Sequence, residues 1–260
     1  MLRTVTVTRY VMPFREGGSV PALVEADDLG FYVVKLRGAA QGEKALVAEL
    51  VGGELARVAG LPVPDLVFVD VDASLATAEP DPEIALPLEA STGLNLGMDY
   101  LPGSITFDPL AGPAPDPLLA SRIVLFDSFV MNVDRTPRNP NLLSWHRRLW
   151  MIDHGACLYV HHGWTPSDVL SDAADPFTDV RSHVLLRWAT KLEEAMDQLT
   201  SALTPEAFER ICSRVPDAWL SRDDGFDGVE SRRRAYVEFL VARRDALPRI
   251  TEEADRARRL

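Results

Sequence analysis

Asn132-Val-Asp-Arg-Thr-Pro-Arg-Asn-Pro-Asn-Leu-Leu143, followed shortly by Leu149-Trp-Met-Ile-Asp-His-Gly155, is the densest polar stretch of the chain. Asp134 and Asn139 stand five apart on a proline-containing turn, between a helical run and a strand. Asp153 closes the next strand, directly before His154-Gly155. Phosphoryl transfer needs such a set. One carboxylate accepts or orients an attacking hydroxyl, while an amide and a second carboxylate hold Mg²⁺ against phosphates, because Mg²⁺ takes a few oxygen ligands plus water. An amide at a metal position keeps the negative charge beside a triphosphate low. Asp, Asn, Pro and Gly are equally the residues that turns recruit, so the stretch takes its meaning from what precedes it.

Upstream, Gly30-Phe-Tyr-Val-Val-Lys-Leu36 reads as a strand, rich in aromatic and β-branched residues. Alternation puts Phe31, Val33 and Lys35 on one face and Tyr32, Val34 and Leu36 on the other. A lysine in so apolar a strand either ends in solvent at a sheet edge or meets an anion such as a phosphate. Lysine is scarce here, with only Lys35, Lys44 and Lys191 in the whole chain. From Glu43 to Ala59 the pattern turns helical, with Leu46, Val47, Leu50, Val51 and Val58 on one stripe, Gly60 as a C-cap and Pro62 as a stop. Glu49 and Glu54 both lie where they could supply a carboxylate partner for the lysine; helical periodicity does not choose between them.

The rest of the first half is strand-like: residues 3–10, 20–27, 65–71 and 84–89, with a glycine turn at Arg15-Glu-Gly-Gly-Ser-Val-Pro21 and a hairpin turn at Asp27-Asp-Leu-Gly30. Gly93-Leu-Asn-Leu-Gly-Met-Asp-Tyr-Leu-Pro-Gly103 is punctuated by glycine and reads as a hinge. Beyond the proline-rich run 107–117 the pattern is helical over about 117–132, 180–203, 204–214 and 229–247, with a small hairpin at 142–145 and 148–153. Strands first and helices afterwards predict an α+β chain in two lobes with a cleft between them. The N-lobe is expected over 1–93, the hinge over 94–104 and the helical C-lobe over 105–260.

At 260 residues, the length allows one large domain or two lobes. Lys plus Arg number 27 against 39 Asp plus Glu, a formal net charge of −12. That balance argues against nucleic acid or an anionic membrane as the main partner, since both need a basic field. No apolar run approaches the roughly 18 residues that span a bilayer, and the N-terminus alternates like a strand rather than carrying a leader's apolar core. Two cysteines, Cys157 and Cys212, give neither a disulfide framework nor a zinc spacing. A reduced, cytoplasmic setting is expected.

The order glycine turn, Lys35, helix Glu49, Asp134-x-x-x-x-Asn139, Asp153-x-Gly155 resembles the protein-kinase-like superfamily. In detail it resembles the HipA-like serine/threonine kinases, which share features with phosphatidylinositol kinases. Asn132-x-Asp134 and Asn139-x-x-Leu142-Leu143 match that family's catalytic loop. Glu49 stands six before Leu55-Ala56 as the family's helix glutamate does, which favours it over Glu54; Leu61-Pro-Val-Pro64 is also in character. The resemblance covers roughly residues 15–160. It implies a bilobal protein-kinase-like fold and an ATP- and Mg²⁺-dependent transfer to a hydroxyl, of a protein serine or threonine or of a small-molecule or lipid acceptor. It also implies roles. Lys35 binds the α/β-phosphates and pairs with Glu49; Asp134 is the catalytic base; Asn139 and Asp153 hold Mg²⁺. Gly17, Gly18 and Ser19 cover the phosphates with backbone N–H groups, Val33 roofs the adenine, and backbone groups near Met98 to Tyr100 read its edge. The chain departs from the family where Thr136 replaces a histidine, Arg135 follows the catalytic aspartate as in phosphatidylinositol kinases, and His154 stands where protein kinases carry phenylalanine. Asn141 is a second amide beside the metal position. A complete set at Lys35, Asp134, Asn139 and Asp153 speaks against a nucleotide-binding pseudokinase.

Other signals are plainer. Ser19 is a turn serine or a site of autophosphorylation. His161-His162, with His154 and Cys157 nearby, fits no zinc template. Arg135, Arg138, Arg147 and Arg148 form a local basic spot, and Trp145, Trp150 and Trp164 are packing residues. Arg232-Arg-Arg234 and Arg243-Arg244 are expected on the solvated face of a helix that buries Tyr236, Phe239 and Leu240.

Overall fold

Alternating β-branched and small residues close the first unit of the fold into a barrel. The computed structural model describes residues 2–14, 21–38, 42–78, 81–221 and 225–260. The chain divides into two compact units, one formed by Met1–Leu46 with Pro64–Gly103 and the other by Val47–Val63 with Ser104–Leu260.

In the first unit, β1 (Thr4–Pro13), β2 (Ala22–Ala26), β3 (Phe31–Lys35), β4 (Leu66–Val71) and β5 (Gly93–Asp99) form a closed barrel in the order β1-β2-β3-β5-β4. Neighbours are antiparallel except β1 and β4, whose parallel pairing closes it. One face of each strand fills the interior: Val5 and Val7, Val24 and Ala26, Tyr32 and Val34, then Val67, Val69 and Val71. The fit is close at Gly97, where a Cβ would lie 2.6 Å from Val69 Cγ2. Helix α1 (Gly42–Val58) starts in this unit, and its residues from Val47 onward belong to the second.

Two short helices, α2 (Ala73–Ala78) and α3 (Pro82–Ala90), line the same core, to which Leu88 belongs and against which Leu75 and Ile84 pack. The strand expected over 84–89 is therefore a helix. Pro82 opens it, its fixed φ suiting a first helical position. The Asp81 carbonyl accepts from Ile84 and Ala85 N–H at 3.0 and 2.8 Å. So short an apolar run has no period that could decide between the two.

The second unit is helical apart from a three-stranded sheet of β6 (Ile105–Thr106), β7 (Leu142–Trp145) and β8 (Arg148–Met151). At its centre stands α4 (Pro117–Phe129), buried from Ala120 to Phe129 except at Arg122. Asp116 caps it, its carboxylate accepting from Leu119 N–H at 2.8 Å ahead of Pro117. Around it lie α5 (Val169–Ala173), α6 (Leu192–Ala202), α7 (Pro205–Cys212), α8 (Asp217–Leu220), α9 (Gly228–Asp245) and α10 (Leu247–Arg259). Phe129 stacks on Phe208 with centroids 6.0 Å apart.

The helix expected over 180–203 begins only at Leu192. Before it come two short 3₁₀ turns, Thr178–Ser182 and Leu186–Trp188, parted by His183 in extended conformation. Residues 248–260, given no element by the sequence reading, form most of α10, whose buried side is Ile250, Thr251, Ala254 and Ala257. On α9 the solvated-arginine expectation fails at two positions, since Arg232 and Arg243 are buried. The Arg243 guanidinium donates to the carbonyls of Ser128 and Phe129 at the end of α4, of Ala173 at the end of α5 and of Asp175 just beyond it, so it satisfies acceptors that helix ends leave open. No helix among the described residues is long and apolar enough to cross a membrane.

Candidate active site

The first unit carries one group of candidates. Strand β3 pairs with β5 so that Lys35 stands opposite Leu96 and Val33 opposite Met98. Directly opposed residues project to the same face, so Val33, Lys35 and Met98 share the face turned away from the Tyr32 and Val34 core. Tyr100 follows β5; its N–H donates to the Phe31 carbonyl at 2.9 Å and its ring lies 6.5 Å from that of Phe14. Phe14 N–H donates to the Pro21 carbonyl at 2.7 Å, which ties together the flanks of the glycine turn. Gly17, Gly18 and Ser19 themselves lie outside the described residues.

The second unit carries the rest. Helix α4 ends in a Schellman motif: Asn132 N–H bonds the Asp127 carbonyl at 2.8 Å and Met131 N–H that of Ser128 at 3.3 Å. Glycine usually occupies the left-handed position of this motif, and here Met131 does so with φ 53°. The loop that leaves it is built by its own side chains. Asp134 N–H donates to Asn132 Oδ1 at 3.1 Å. Thr136 and Asn139 close a Thr-Pro-Arg-Asn turn with reciprocal backbone bonds of 3.1 and 3.2 Å. That turn brings Asn139 back onto Asp134, with Nδ2 donating to Oδ2 at 2.8 Å. Asn141 Nδ2 reaches the same oxygen at 3.3 Å. Asp134, Asn139 and Asn141 are therefore one cluster on a half-exposed loop.

The β7–β8 hairpin then returns the chain. Its two-residue turn, His146-Arg147, takes φ 47° and 63°, the backbone of a type I′ turn. Its register pairs Leu142 with Met151, which brings Ile152 beside Asn141, and Ile152 N–H donates to the Asn141 carbonyl at 3.1 Å. Asp153, with φ 55°, thus leaves the sheet where the Asp134 loop enters it. On the other edge of β8, Met151 N–H donates to the Pro62 carbonyl at 2.7 Å, which fixes the segment after α1.

Glu49 and Glu54 separate clearly. Glu54 is buried and held by Arg57, at 2.7 Å, and by Arg214. Glu49 is buried with its Oε1 3.8 Å from His154 Nδ1. The turn at Asp153-His154-Gly155 packs directly on α1: a Cβ at Gly52 would meet His154 Cβ at 2.9 Å and Cys157 Sγ at 3.2 Å. His154 also stands edge-on to Phe126, centroids 6.3 Å apart.

Sequence reasoning passed over Gly52, whose signal was a glycine inside a helix, a position that costs about 1 kcal/mol against alanine and so implies a packing cause. It also passed over Asp127 and His183, which carried no local signal. The basic spot needs correcting: Arg135 is fully buried and faces Asp127 at 2.5 Å, while Arg138, Arg147 and Arg148 are exposed. Trp164 is a packing residue, buried against Tyr236 and Phe239.

Among the described residues, no three His, Cys, Asp or Glu side chains gather as a metal-binding set. A cation held here would rest on Asp153, an asparagine amide, phosphate oxygens and water. That oxygen-only set fits Mg²⁺, which commonly takes one or two carboxylates plus phosphates.

The sequence model of the HipA-like kinase family matches residues 7–245. Among solved structures the chain is similar to the Helicobacter pylori proinflammatory kinase CtkA, with TM-score 0.59 and 11% identity over 99% of this chain and 98% of that one. It is also similar to the golgi casein kinase, with TM-score 0.48 and 12% identity over 98% of this chain and 72% of that one. At these identities the likeness is one of fold. A comparison with curated proteins gives no match.

Proposed function

The chain belongs to the HipA-like kinase family and is a kinase of mixed α/β fold; on that premise we propose that it passes the γ-phosphoryl group of ATP, with Mg²⁺, to a hydroxyl, most directly that of a serine or threonine in a protein. The observation that carries this reading is the Asp134 cluster. One half-exposed carboxylate is oriented by two amides of its own loop, and a hairpin returns the chain to Asp153 at the loop's end.

In this reading Asp134 accepts the proton of the acceptor hydroxyl as its oxygen attacks the γ-phosphorus. The new O–P bond forms, the bond to the β-phosphate oxygen breaks, and ADP leaves. A carboxylate so placed contributes typically 10²- to 10⁴-fold. Asp153 and Asn139 would hold Mg²⁺, which neutralises charge developing on the phosphates. Lys35 takes the α/β-phosphates with Glu49 as its carboxylate partner; Glu54, already engaged by Arg57 and Arg214, is not available for that role. The Gly17-Gly18-Ser19 turn covers the phosphates, Val33 roofs the adenine, and the strand end near Met98 to Tyr100 reads its edge. The barrel unit and the helical unit act as the two lobes.

The test is ATP turnover by the purified full chain with Mg²⁺, followed by mass spectrometry of candidate protein acceptors. Loss of transfer in Asp134→Asn, and loss of metal-dependent ATP binding in Asp153→Asn, support the reading. Wild-type behaviour in both variants removes it. A soluble alcohol that alone raises the melting temperature with ATP would move the acceptor from protein to small molecule.

A further inference from the structure

Several chain segments meet at the Arg135 side chain. Its Nε donates to Asp127 Oδ2 at 2.5 Å, and Nη2 reaches Oδ1 at 3.4 Å. Its Nη1 donates to the carbonyl of Asn141 and, at 3.2 Å, to that of Ile152. Its own carbonyl accepts from Val184 N–H at 3.0 Å. One guanidinium thus grips the end of α4, the far end of the Asp134 loop and the residue just before Asp153.

The grip is itself held. His183 Nδ1 accepts from Leu185 N–H at 3.0 Å, so the ring proton sits on Nε2 and points at Asp127 Oδ2, 2.9 Å away. Asn132 Nδ2 donates to Asp127 Oδ1 at 3.1 Å while its Oδ1 takes the Asp134 N–H. Burial alone would push the Asp127 carboxyl up. The Arg135 charge and the His183 hydrogen bond outweigh it and hold the group well below the usual carboxylate range.

A buried ion pair is weak evidence of a stabilising device, since apolar side chains of similar volume often serve as well. What an apolar side chain cannot do is bond two carbonyls in separate turns. Those turns need holding. Asn141 and Asp153 have φ of 48° and 55°, backbone states that persist only where the surroundings over-determine them.

We propose that Arg135, clamped by Asp127 and His183, is the positioning residue that sets Asp134 and Asp153 relative to one another. This rests on the reading that these two carry the transfer. Arg135 touches neither substrate nor metal and acts through the Asn141 and Ile152 carbonyls.

The experiment compares the full chain with Arg135→Lys, which keeps a cation opposite Asp127 but loses the fork that reaches both carbonyls. Hydrogen–deuterium exchange should speed up about tenfold or more in peptides covering 132–142 and 149–156, and stay unchanged in the barrel and in α10. Where transfer is measured, kcat should fall about 10- to 100-fold with KM for ATP nearly unchanged, as when a group that orients catalytic ligands is removed. Should Arg135→Lys fail to fold, His183→Phe and His183→Gln carry the comparison. Exchange in the same peptides should rise in the first and be largely restored in the second, whose amide can still donate to Asp127. Unchanged exchange in the folded variants, a rise spread evenly over the unit, or a raised KM with kcat intact overturns the proposal. Failure of the catalytic reading shows separately, as wild-type transfer by Asp134→Asn.

Discussion

Asn139 Nδ2 donates to Asp134 Oδ2 at 2.8 Å across the Thr-Pro-Arg-Asn turn, so the amide orients the carboxylate and its own Oδ1 is turned the other way. Asn141 Nδ2 contacts the same carboxylate oxygen at 3.3 Å. The two asparagines share one duty toward Asp134 and differ in exposure, Asn139 being open to solvent and Asn141 buried.

On the proposed reading, the exposed amide, Asn139, is the one that would meet Mg²⁺. Asn139→Ala should raise the Mg²⁺ concentration for half-maximal transfer by about 10- to 100-fold. Asn141→Ala should leave that concentration nearly unchanged and lower the melting temperature instead, because alanine tolerates its left-handed backbone poorly. A magnesium titration of both variants decides it; the reverse pattern would move the ligand to Asn141.

Asp134→Asn should lower kcat by about 10²- to 10⁴-fold with little change in thermal stability. The asparagine keeps an oxygen to accept from both amides, and the Asp134 side chain is half-exposed. A large drop in melting temperature would show that the carboxylate is there for the loop rather than for the chemistry.

Gly52→Ala sets two effects against each other. Alanine gains about 1 kcal/mol of helix propensity over glycine. Its methyl would, however, sit 2.9 Å from His154 Cβ and 3.2 Å from Cys157 Sγ, and overpacking of this kind costs about 1–3 kcal/mol. The clash should win: chemical denaturation should show net destabilisation, and transfer should fall because Asp153 precedes the displaced turn. Stability equal to or above wild type would mean that the turn shifts freely.

Acid should weaken the second unit through Asp127 and His183. Burial pushes the His183 imidazole down, opposed in part by its bond to Asp127, so the folded state holds it neutral. The unfolded chain takes up that proton near the ordinary histidine pKa of about 6.5. Stability is therefore lost as pH falls below that value, and Asp127, held low by Arg135, adds a further loss at lower pH. Melting temperatures from pH 8 to 5 should decline in wild type and decline less in His183→Gln. Parallel curves for the two proteins would exclude His183 as a source.

Both thiols should be inert in the native protein. Burial pushes Cys212 up to about 12 and Cys157 well above its ordinary value, and thiolate is the reactive form. Ellman's reagent should label neither cysteine before denaturation and both after it. Rapid labelling of the folded chain would contradict the burial.

The candidate site was legible in the sequence wherever one short stretch held it. Asp134-x-x-x-x-Asn139 and Asp153-His154-Gly155 are local, and so is the alternation that puts Tyr32 and Val34 in the barrel core and Lys35 on the opposite face. Periodicity failed where it was too short or was broken. Ile84-Ala-Leu-Pro-Leu88 is equally a strand or a turn of helix, and the pattern expected over 180–203 is interrupted at His183, where a side-chain bond to Asp127 replaces helical backbone.

Other matters belonged to tertiary structure alone. That Glu54 is occupied by Arg214, 160 positions away, that Arg243 fastens carbonyls of α4 114 and 115 positions away, and that His183 closes on Asp127 from 56 positions away, follow from partners distant in sequence. A side chain's type states what it can bond. Its distant partner, and hence whether a charge is worth burying, exists only once the chain has folded.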